Sequence, residues 1–226
     1  MTLLAQARIR TAVACLVFTL ILFAAAGTIR WTPGWMYVAV LVGSTMLPLW
    51  GPFRLDAGLI EERMSRSKPD AKRWDRIFLM LVAVLTLAEV IVPALDHRFG
   101  WTPPLPRWTM WAGLAGVVLG TAGLMWAMRI NRFFSAVIRI QRDRGHHVIT
   151  TGPYRVVRHP GYAFWMVQAA ALPFMFGSLW TFVPVGLLIA MFFVRTALED
   201  RVLQKELGGY GEYAQRVPAK LIPGIW

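Results

Sequence analysis

Cysteine is nearly absent from this chain of 226 residues, and Cys15 is the only one. This excludes disulfides within the chain and metal clusters held by several cysteines. Acidic side chains are also scarce, with 12 Asp and Glu against 24 Lys and Arg, so the formal net charge is +12. Such a charge is typical of proteins that bind nucleic acid or an anionic membrane surface.

Apolar residues are abundant, at 57% of the chain, and the mean hydropathy is +0.51. This apolar fraction exceeds that of an average soluble domain and indicates an integral membrane protein. The basic residues are therefore expected to contact membrane lipids, whose headgroups are anionic, and no nucleic acid is expected as a partner.

Six apolar segments are long enough to cross a hydrocarbon core of ~30 Å: they cover 11–29, 35–52, 76–95, 108–128, 161–178 and 181–197. Gly177–Trp180 joins the last two, which predicts a C-terminal helical hairpin. The predicted fold is an all-α, polytopic membrane bundle with one domain over 1–226. Within it, 1–147 supplies membrane helices and an interfacial helix, and 148–226 carries the candidate site.

The Lys and Arg residues are divided unequally between the two sides of this bundle. All of them except Arg30, Arg98 and Arg107 fall in the termini or in the two loops on the same side as the termini. Because basic loops stay in the cytoplasm, both termini are predicted to be cytoplasmic, in an inner or plasma membrane.

The polar stretch Thr151–Tyr162 lies between two apolar segments. Gly152-Pro153 and His159-Pro160 each interrupt helical backbone. Between these turn signals lie two aromatic or imidazole rings and two guanidiniums: Tyr154, Arg155, Arg158 and His159. Such a set suits an anionic, aromatic ligand, because guanidiniums fork onto carboxylates. The alternative is a cytoplasmic loop whose arginines contact lipid phosphates.

A second polar cluster ends the sixth apolar segment. Arg195 and Glu199 are spaced i,i+4 and share a helical face with Leu203, while Asp200 lies one position further round. An Arg and two acids thus meet at the inner membrane boundary, where desolvation strengthens their attraction. The alternative is a charged helix exit with one salt bridge.

The remaining polar segments are given structural roles. Arg129–His147 predicts an amphipathic helix along the inner interface. The adjacent His146 and His147 cannot both face one metal ion, so we expect headgroup contacts there and no metal site. Glu89 lies within the third apolar segment and is predicted to be structural, with a functional role as the alternative. The aromatic tail after Leu207 is expected to fold back over the cytoplasmic mouth, as a lid or as a surface anchor.

Together the two clusters resemble the isoprenylcysteine carboxyl methyltransferase family, which is similar to the membrane phospholipid methyltransferases. That signature is G-x-Y-x-x-x-R-H-P-x-Y-x-G, a helical hairpin, R-x-x-x-E-E-x-x-L, and a tail with F-G-x-x-Y-x-x-Y and V-P…I-P. The matching positions are Gly152, Tyr154, Arg158, His159, Pro160, Tyr162, Arg195, Glu199, Asp200, Leu203, Leu207-Gly208, Tyr210, Tyr213, Val217-Pro218 and Ile222-Pro223. Phe164 replaces the family Gly, Asp200 replaces the second Glu, and the tail spacing is one residue short.

The resemblance implies a cytoplasmic pocket for S-adenosylmethionine and methyl transfer to a small lipophilic or membrane-delivered acceptor. Such an acceptor is an isoprenylcysteine-like carboxylate, a lipid amine, a quinone-like phenol or a small thiol. Carried over by position, the cofactor contacts are Tyr154, Arg158, His159, Pro160, Tyr162, Glu199 and Leu203. Arg195 and Asp200 are the implied catalytic residues and face the acceptor.

Two other functions are compatible with a polytopic membrane protein. Sterol reductases that use NADPH end in a similar R-H-P-N-Y-x-G-E pattern, but here Gly161 replaces the Asn and Trp165 replaces the Glu. A transporter or assembly factor needs polar residues within its spans. Here Glu89 and Gln168 are too few to line a path for a solute.

Overall fold

The computed structural model describes residues 2–50, 55–64 and 73–226, and within these ranges the protein is helical without β-strands. The α-helices are α1 (Leu3–Ala26), α2 (Thr32–Met46), α3 (Ala57–Met64), α4 (Arg73–Phe99), α5 (Arg107–Ile130), α6 (Pro160–Phe176), α7 (Phe182–Glu206) and α8 (Tyr210–Arg216).

The six long helices form a ring around a shared apolar core. Each packs on two neighbours, in the order α1, α2, α5, α6, α7, α4 and back to α1. The centre is filled by fully buried side chains from four of them: Leu22, Val90, Val117, Leu172 and Met175. Large apolar residues on the outside of the ring remain exposed, as expected for helices that face lipid.

Each of the six predicted apolar segments contains most of one of the six long helices, and within the described residues four helices are long and apolar enough to cross a bilayer. These four are Leu3–Ala26, Trp74–Phe99, Arg107–Ile130 and Leu179–Glu206. α2 and α6 have 15 and 17 residues and are shorter than these. The all-helical membrane architecture is thus confirmed. That all six helices cross the membrane stays a prediction.

The C-terminal pair α6 and α7 packs as the predicted hairpin. Gly177 ends α6 in the left-handed conformation, with φ of +67°, and its N–H bonds the carbonyls of Pro173 and Phe174. A short 3₁₀ turn, Leu179–Thr181, then leads into α7. Glycine adopts this φ without a Cβ penalty, which explains the sharp reversal.

The predicted amphipathic helix over Arg129–His147 is wrong. α5 ends at Ile130, and irregular backbone follows, apart from a 3₁₀ turn at Arg142–Arg144. Side chains replace the helical hydrogen bonds here: the Gln141 side-chain amide donates to the Phe133 carbonyl at 2.7 Å. Asn131 likewise accepts from the Phe133 N–H at 2.9 Å. Such local bonds compete with helix formation.

Between predicted spans two and three, the structure describes α3 and the first residues of α4. The mixed charges of the connection over 51–75 predict a solvated linker or a short cytoplasmic helix or hairpin, and the rest of this connection lies outside the described residues. Glu89 is buried, about 21 Å along α4 from Asp75 by the helical rise of ~1.5 Å per residue. Its structural role stays a prediction.

α5 and α6 approach so closely that no side chain fits between them at several glycines. A Cβ added to Gly113 would lie 2.2 Å from the Met175 backbone N, and one at Gly120 would lie 2.6 Å from that of Gln168. A Cβ on Gly123 would lie 2.2 Å from the Phe164 ring. Phe164, which replaces a family glycine, therefore packs against α5.

We predict that Gly113→Ala lowers the thermal midpoint of the detergent-purified protein. Because the added methyl group meets backbone, the two helices must separate, at a cost of ~1–3 kcal/mol. Gly186→Ala in α7 is the control, since a Cβ there has no neighbour within 4 Å. That change should leave the midpoint equal or higher, because Ala favours helix by ~0.5–1 kcal/mol over Gly. Equal midpoints for Gly113→Ala and the unsubstituted protein would contradict the close approach.

Candidate active site

The turn before α6 positions two aromatic side chains of the candidate site. Pro160 is the first residue of α6, and the backbone of His159 before it is not helical, with φ of −123° and ψ of 59°. This is the helix start expected from an X-Pro pair. The rings of His159 and Tyr162 lie parallel, with centroids 5.9 Å apart and an interplanar angle of 2°.

Asp200 of α7 lies at the centre of a buried polar cluster and is 1% exposed. Arg158 forks onto its carboxylate, with Nε at 2.8 Å and Nη2 at 3.0 Å. The Tyr210 hydroxyl and the Gln204 amide each donate to it at 2.8 Å. His159 Nε2 lies 3.4 Å away. Both carboxylate oxygens are therefore engaged by protein groups.

The same arginine holds the C-terminal tail. Arg158 Nη1 donates to the carbonyls of Val217 and Pro218, each at 2.8 Å, just after α8 ends. Burial disfavours a charged guanidinium, but the Asp200 carboxylate outweighs it and raises the pKa of Arg158. Arg158 therefore stays charged and ties the tail to α7.

Backbone pairing reinforces this attachment. The N–H groups of Arg158 and His159 donate to the carbonyls of Ala219 and Lys220 at 3.0 and 2.9 Å. The Tyr213 hydroxyl donates to the Tyr154 carbonyl at 2.7 Å. The tail thus folds back over the site, and its aromatic residues belong to the wall of the site.

A second buried network surrounds Arg195, which is 2% exposed. Its Nε donates to the Tyr162 hydroxyl at 3.0 Å, and that hydroxyl donates to Glu199 Oε2 at 2.6 Å. Its Nη2 donates to the Ala136 carbonyl at 2.7 Å. Its Nη1 lies 3.1 Å from Asp75 Oδ1. The predicted face of Arg195 and Glu199 exists, with Tyr162 linking the two charges.

These networks border a cavity with an empty volume of about 810 Å³, including its open mouth. Six of the predicted cofactor residues line this cavity: Tyr154, Arg158, His159, Tyr162, Glu199 and Leu203. Pro160, Arg195 and Asp200 are absent from the lining, and the latter two contact lining residues from behind.

The opposite wall comes from the irregular segment after α5, which sequence reasoning assigned to a helix. Its lining residues are Asn131, Phe133, Phe134, Ser135, Val137, Ile138, Arg139, Ile140 and His146–Ile149. The only sequence signal was their mixture of aromatic, β-branched and basic residues, which also fits an interfacial helix. The tail residues Leu207, Tyr210 and Tyr213 complete the lining.

The two adjacent histidines line this wall, where His146 is half-buried and His147 is exposed. The rings of His146 and His147 lie 4.6 and 5.0 Å from the Phe133 ring. Burial, together with the nearby His147, Arg139 and Arg144, lowers the pKa of His146 from 6.5 to about 4. His146 is thus neutral at physiological pH. No group of three metal-ligating side chains occurs among the described residues.

Gly161 lies face to face with an aromatic ring of the opposite wall. A Cβ at this position would lie 2.3 Å from Cε2 of Phe134. The asparagine of the sterol-reductase pattern therefore has no room here unless Phe134 moves.

The structure is an all-helical bundle with membrane-spanning helices and a cavity with polar lining at the end of its C-terminal hairpin, and small-molecule sites often lie between the helices of a bundle. Residues 111–205 match the Isoprenylcysteine carboxyl methyltransferase (ICMT) family. This match covers less than half of the chain, and it confirms the resemblance to this family that the sequence predicts. The predicted methyltransferase class is confirmed as well.

Similar proteins include Protein-S-isoprenylcysteine O-methyltransferase B of Arabidopsis thaliana, 29% identical over 62% of this chain and 70% of that protein. A probable protein-S-isoprenylcysteine O-methyltransferase of Oryza sativa subsp. indica is 34% identical over 49% of this chain and 60% of that protein. The cobalt-zinc-cadmium resistance protein CzcN of Cupriavidus metallidurans is 30% identical over 62% of this chain and 59% of that protein.

We predict that Arg158→Lys loosens the tail. Lysine keeps the charge but loses the fork onto Asp200 and the second set of donors to the tail carbonyls. The cost lies below the ~3–5 kcal/mol of removing one partner of a buried pair, because the charge on the side chain remains. Limited proteolysis of the purified protein should then cleave after α7 faster than in the unsubstituted protein. Arg155→Lys is the control, because Arg155 is exposed. Equal cleavage rates in all three proteins would contradict this role of Arg158.

Proposed function

We propose that this protein transfers a methyl group from S-adenosylmethionine to a lipophilic acceptor delivered by the membrane, and that the cavity described above holds the cofactor. The observation that carries this proposal is the convergence of Tyr154, His159, Tyr162 and Glu199 on one cavity. Three of these four come from the polar stretch Thr151–Tyr162, which ends in the first turn of α6, and Glu199 comes from the last two turns of α7.

The chemistry of the lining suits this cofactor. S-adenosylmethionine, when bound, supplies a methyl group activated by a sulfonium, and it also carries an ammonium, a carboxylate and an adenine. Glu199 is an acceptor for the ammonium or the ribose hydroxyls. The rings of Tyr154, Tyr162 and His159 offer aromatic faces to the adenine and to the sulfonium. Leu203 supplies apolar contact.

The depth of burial separates the roles of the remaining site residues. Because the side chains of Arg195 and Asp200 are buried and already bonded to other protein groups, we assign them to holding those groups rather than to direct contact with the acceptor. Arg195 orients the Tyr162 hydroxyl and, through it, Glu199. Asp200 fixes Arg158 and the tail. Methyl transfer depends chiefly on alignment, and held geometry lowers a barrier by as much as ~7–11 kcal/mol.

The named activity of the plant relatives favours an isoprenylcysteine carboxylate-like acceptor, and a lipid amine or small thiol is the alternative. A carboxylate needs no base before it attacks the methyl group, whereas an amine or thiol has a proton to lose. The apolar exterior of the helix ring gives such an acceptor a route through the lipid phase. Membrane lipids are the expected surroundings of the whole chain.

We predict that the detergent-purified protein binds S-adenosylhomocysteine and not NADPH in calorimetry. Glu199→Gln should weaken this binding by ~1.5–3 kcal/mol, the usual contribution of a charge-assisted hydrogen bond. Glu212→Gln, on the exposed side of α8, is the matched control and should bind normally. Binding of NADPH alone would favour the reductase alternative. Equal affinity in both variants would remove Glu199 from the cofactor site.

A second prediction concerns the orientation of the bundle. We propose that all six long helices cross the membrane and that the cavity and both termini face the cytoplasm, where S-adenosylmethionine is made. A reporter fused after Trp226 should then be cytoplasmic, and one inserted near Pro104 should be on the opposite side. Reversed reporters would separate the cavity from its cofactor and contradict the proposal.

A further inference from the structure

The first turn of α4 contributes a buried acid to the candidate site. Asp75 is fully buried, and its Oδ2 accepts from the Ile138 N–H of the cavity wall at 2.8 Å. Its Oδ1 makes no hydrogen bond in the described part of the structure. That oxygen lies 3.1 Å from Arg195 Nη1, so the contact is an ion pair.

One turn further along α4, Phe78 contacts the same guanidinium. The Arg195 guanidinium carbon lies 4.8 Å from the centre of the Phe78 ring. Asp75 and Phe78 are spaced i,i+3 and therefore share one face of the helix. α4 thus offers Arg195 both a counter-charge and an aromatic face.

This contact brings α4 into a site whose family match covers only 111–205. An arginine that is almost fully buried needs a negative partner nearby. The other acid within reach is Glu199, which Arg195 meets through the Tyr162 hydroxyl. Without Asp75, the attraction of Arg195 would be directed wholly at Glu199, on the cavity side.

We propose that Asp75 is a positioning residue of the methyltransferase site, acting through Arg195. The inference rests on the proposed function, because it assumes that Glu199 and Tyr162 hold the cofactor. Asp75 holds Arg195 back from the cavity, so that Arg195 Nε meets the Tyr162 hydroxyl. That hydroxyl then donates to one oxygen of Glu199 and leaves the other oxygen for the ligand.

A purely stabilising role for Asp75 makes a different prediction. Replacing Asp75 would then lower the stability of the bundle without changing the affinity of the protein that remains folded. A positioning role changes that affinity, and the change disappears once Arg195 is replaced, because Asp75 then has nothing to hold. Interaction of this kind between contacting residues is what a double-mutant cycle measures.

The test uses the full chain in detergent and S-adenosylhomocysteine as the probe, with affinity measured by calorimetry and folding checked by thermal unfolding. The variants are Asp75→Asn, Arg195→Gln and the two combined. Asp96→Asn is the matched control: this buried acid lies near the far end of α4 and bonds Thr102 and Ser178. Removing both charges in the double variant avoids an unpaired buried arginine if Asp75→Asn alone folds poorly.

We expect Asp75→Asn to weaken binding about tenfold, and to change it less than about threefold when Arg195 is already Gln. Asp96→Asn should bind within about twofold of the unsubstituted protein, whatever its stability. Unchanged affinity in folded Asp75→Asn, or an equal loss in both backgrounds, would overturn the positioning role alone. If the unsubstituted protein does not bind the probe, the proposed function itself fails and the positioning role fails with it.

Discussion

Charge that cannot reach water governs the site end of this bundle. Asp200 and Arg195 lie one and a half turns apart on α7, and both are at most 2% exposed. Removing the partner of such a charge costs ~3–5 kcal/mol, so each needs its partner in place. Arg158 and the tail compensate Asp200, while Asp75 compensates Arg195. Elements far apart in the chain are thereby held against one helix.

The apolar bundle makes these pairings possible by fixing where the helices begin and end. The glycines of α5 allow α6 to approach at backbone distance, which sets the position of the turn at His159 and Pro160. The core between α1, α4, α5 and α6 is apolar and carries no part of the proposed chemistry. Alignment of the site is thus a consequence of helix packing, and the polar networks hold the ends of the helices in register.

Features encoded by neighbouring residues could be predicted from the sequence. Pro160 starts α6, Gly177 turns the hairpin, and the spacing of Arg195 and Glu199 places both on one face. The wall after α5 could not be predicted, because its backbone is held by side chains such as Gln141 that bond carbonyls eight residues away. The role of Asp75 could not be predicted for a similar reason. Its partner Arg195 lies 120 positions further along the chain, and a single acid at the start of a helix is not a distinctive sequence pattern.

Glu199 and Asp200 are neighbours in sequence, yet their surroundings differ. Successive residues of an α-helix are turned by about 100°, so one carboxylate borders the cavity while the other points into the interior. The interior position is the one where Asp replaces the family Glu. At 2.8 and 3.0 Å, the fork of Arg158 already spans both oxygens of the shorter side chain. An added methylene would push the carboxylate into Arg158 and Tyr210, and close packing makes such a change costly. The shorter acid therefore suits a holding role, and the longer one borders the cavity.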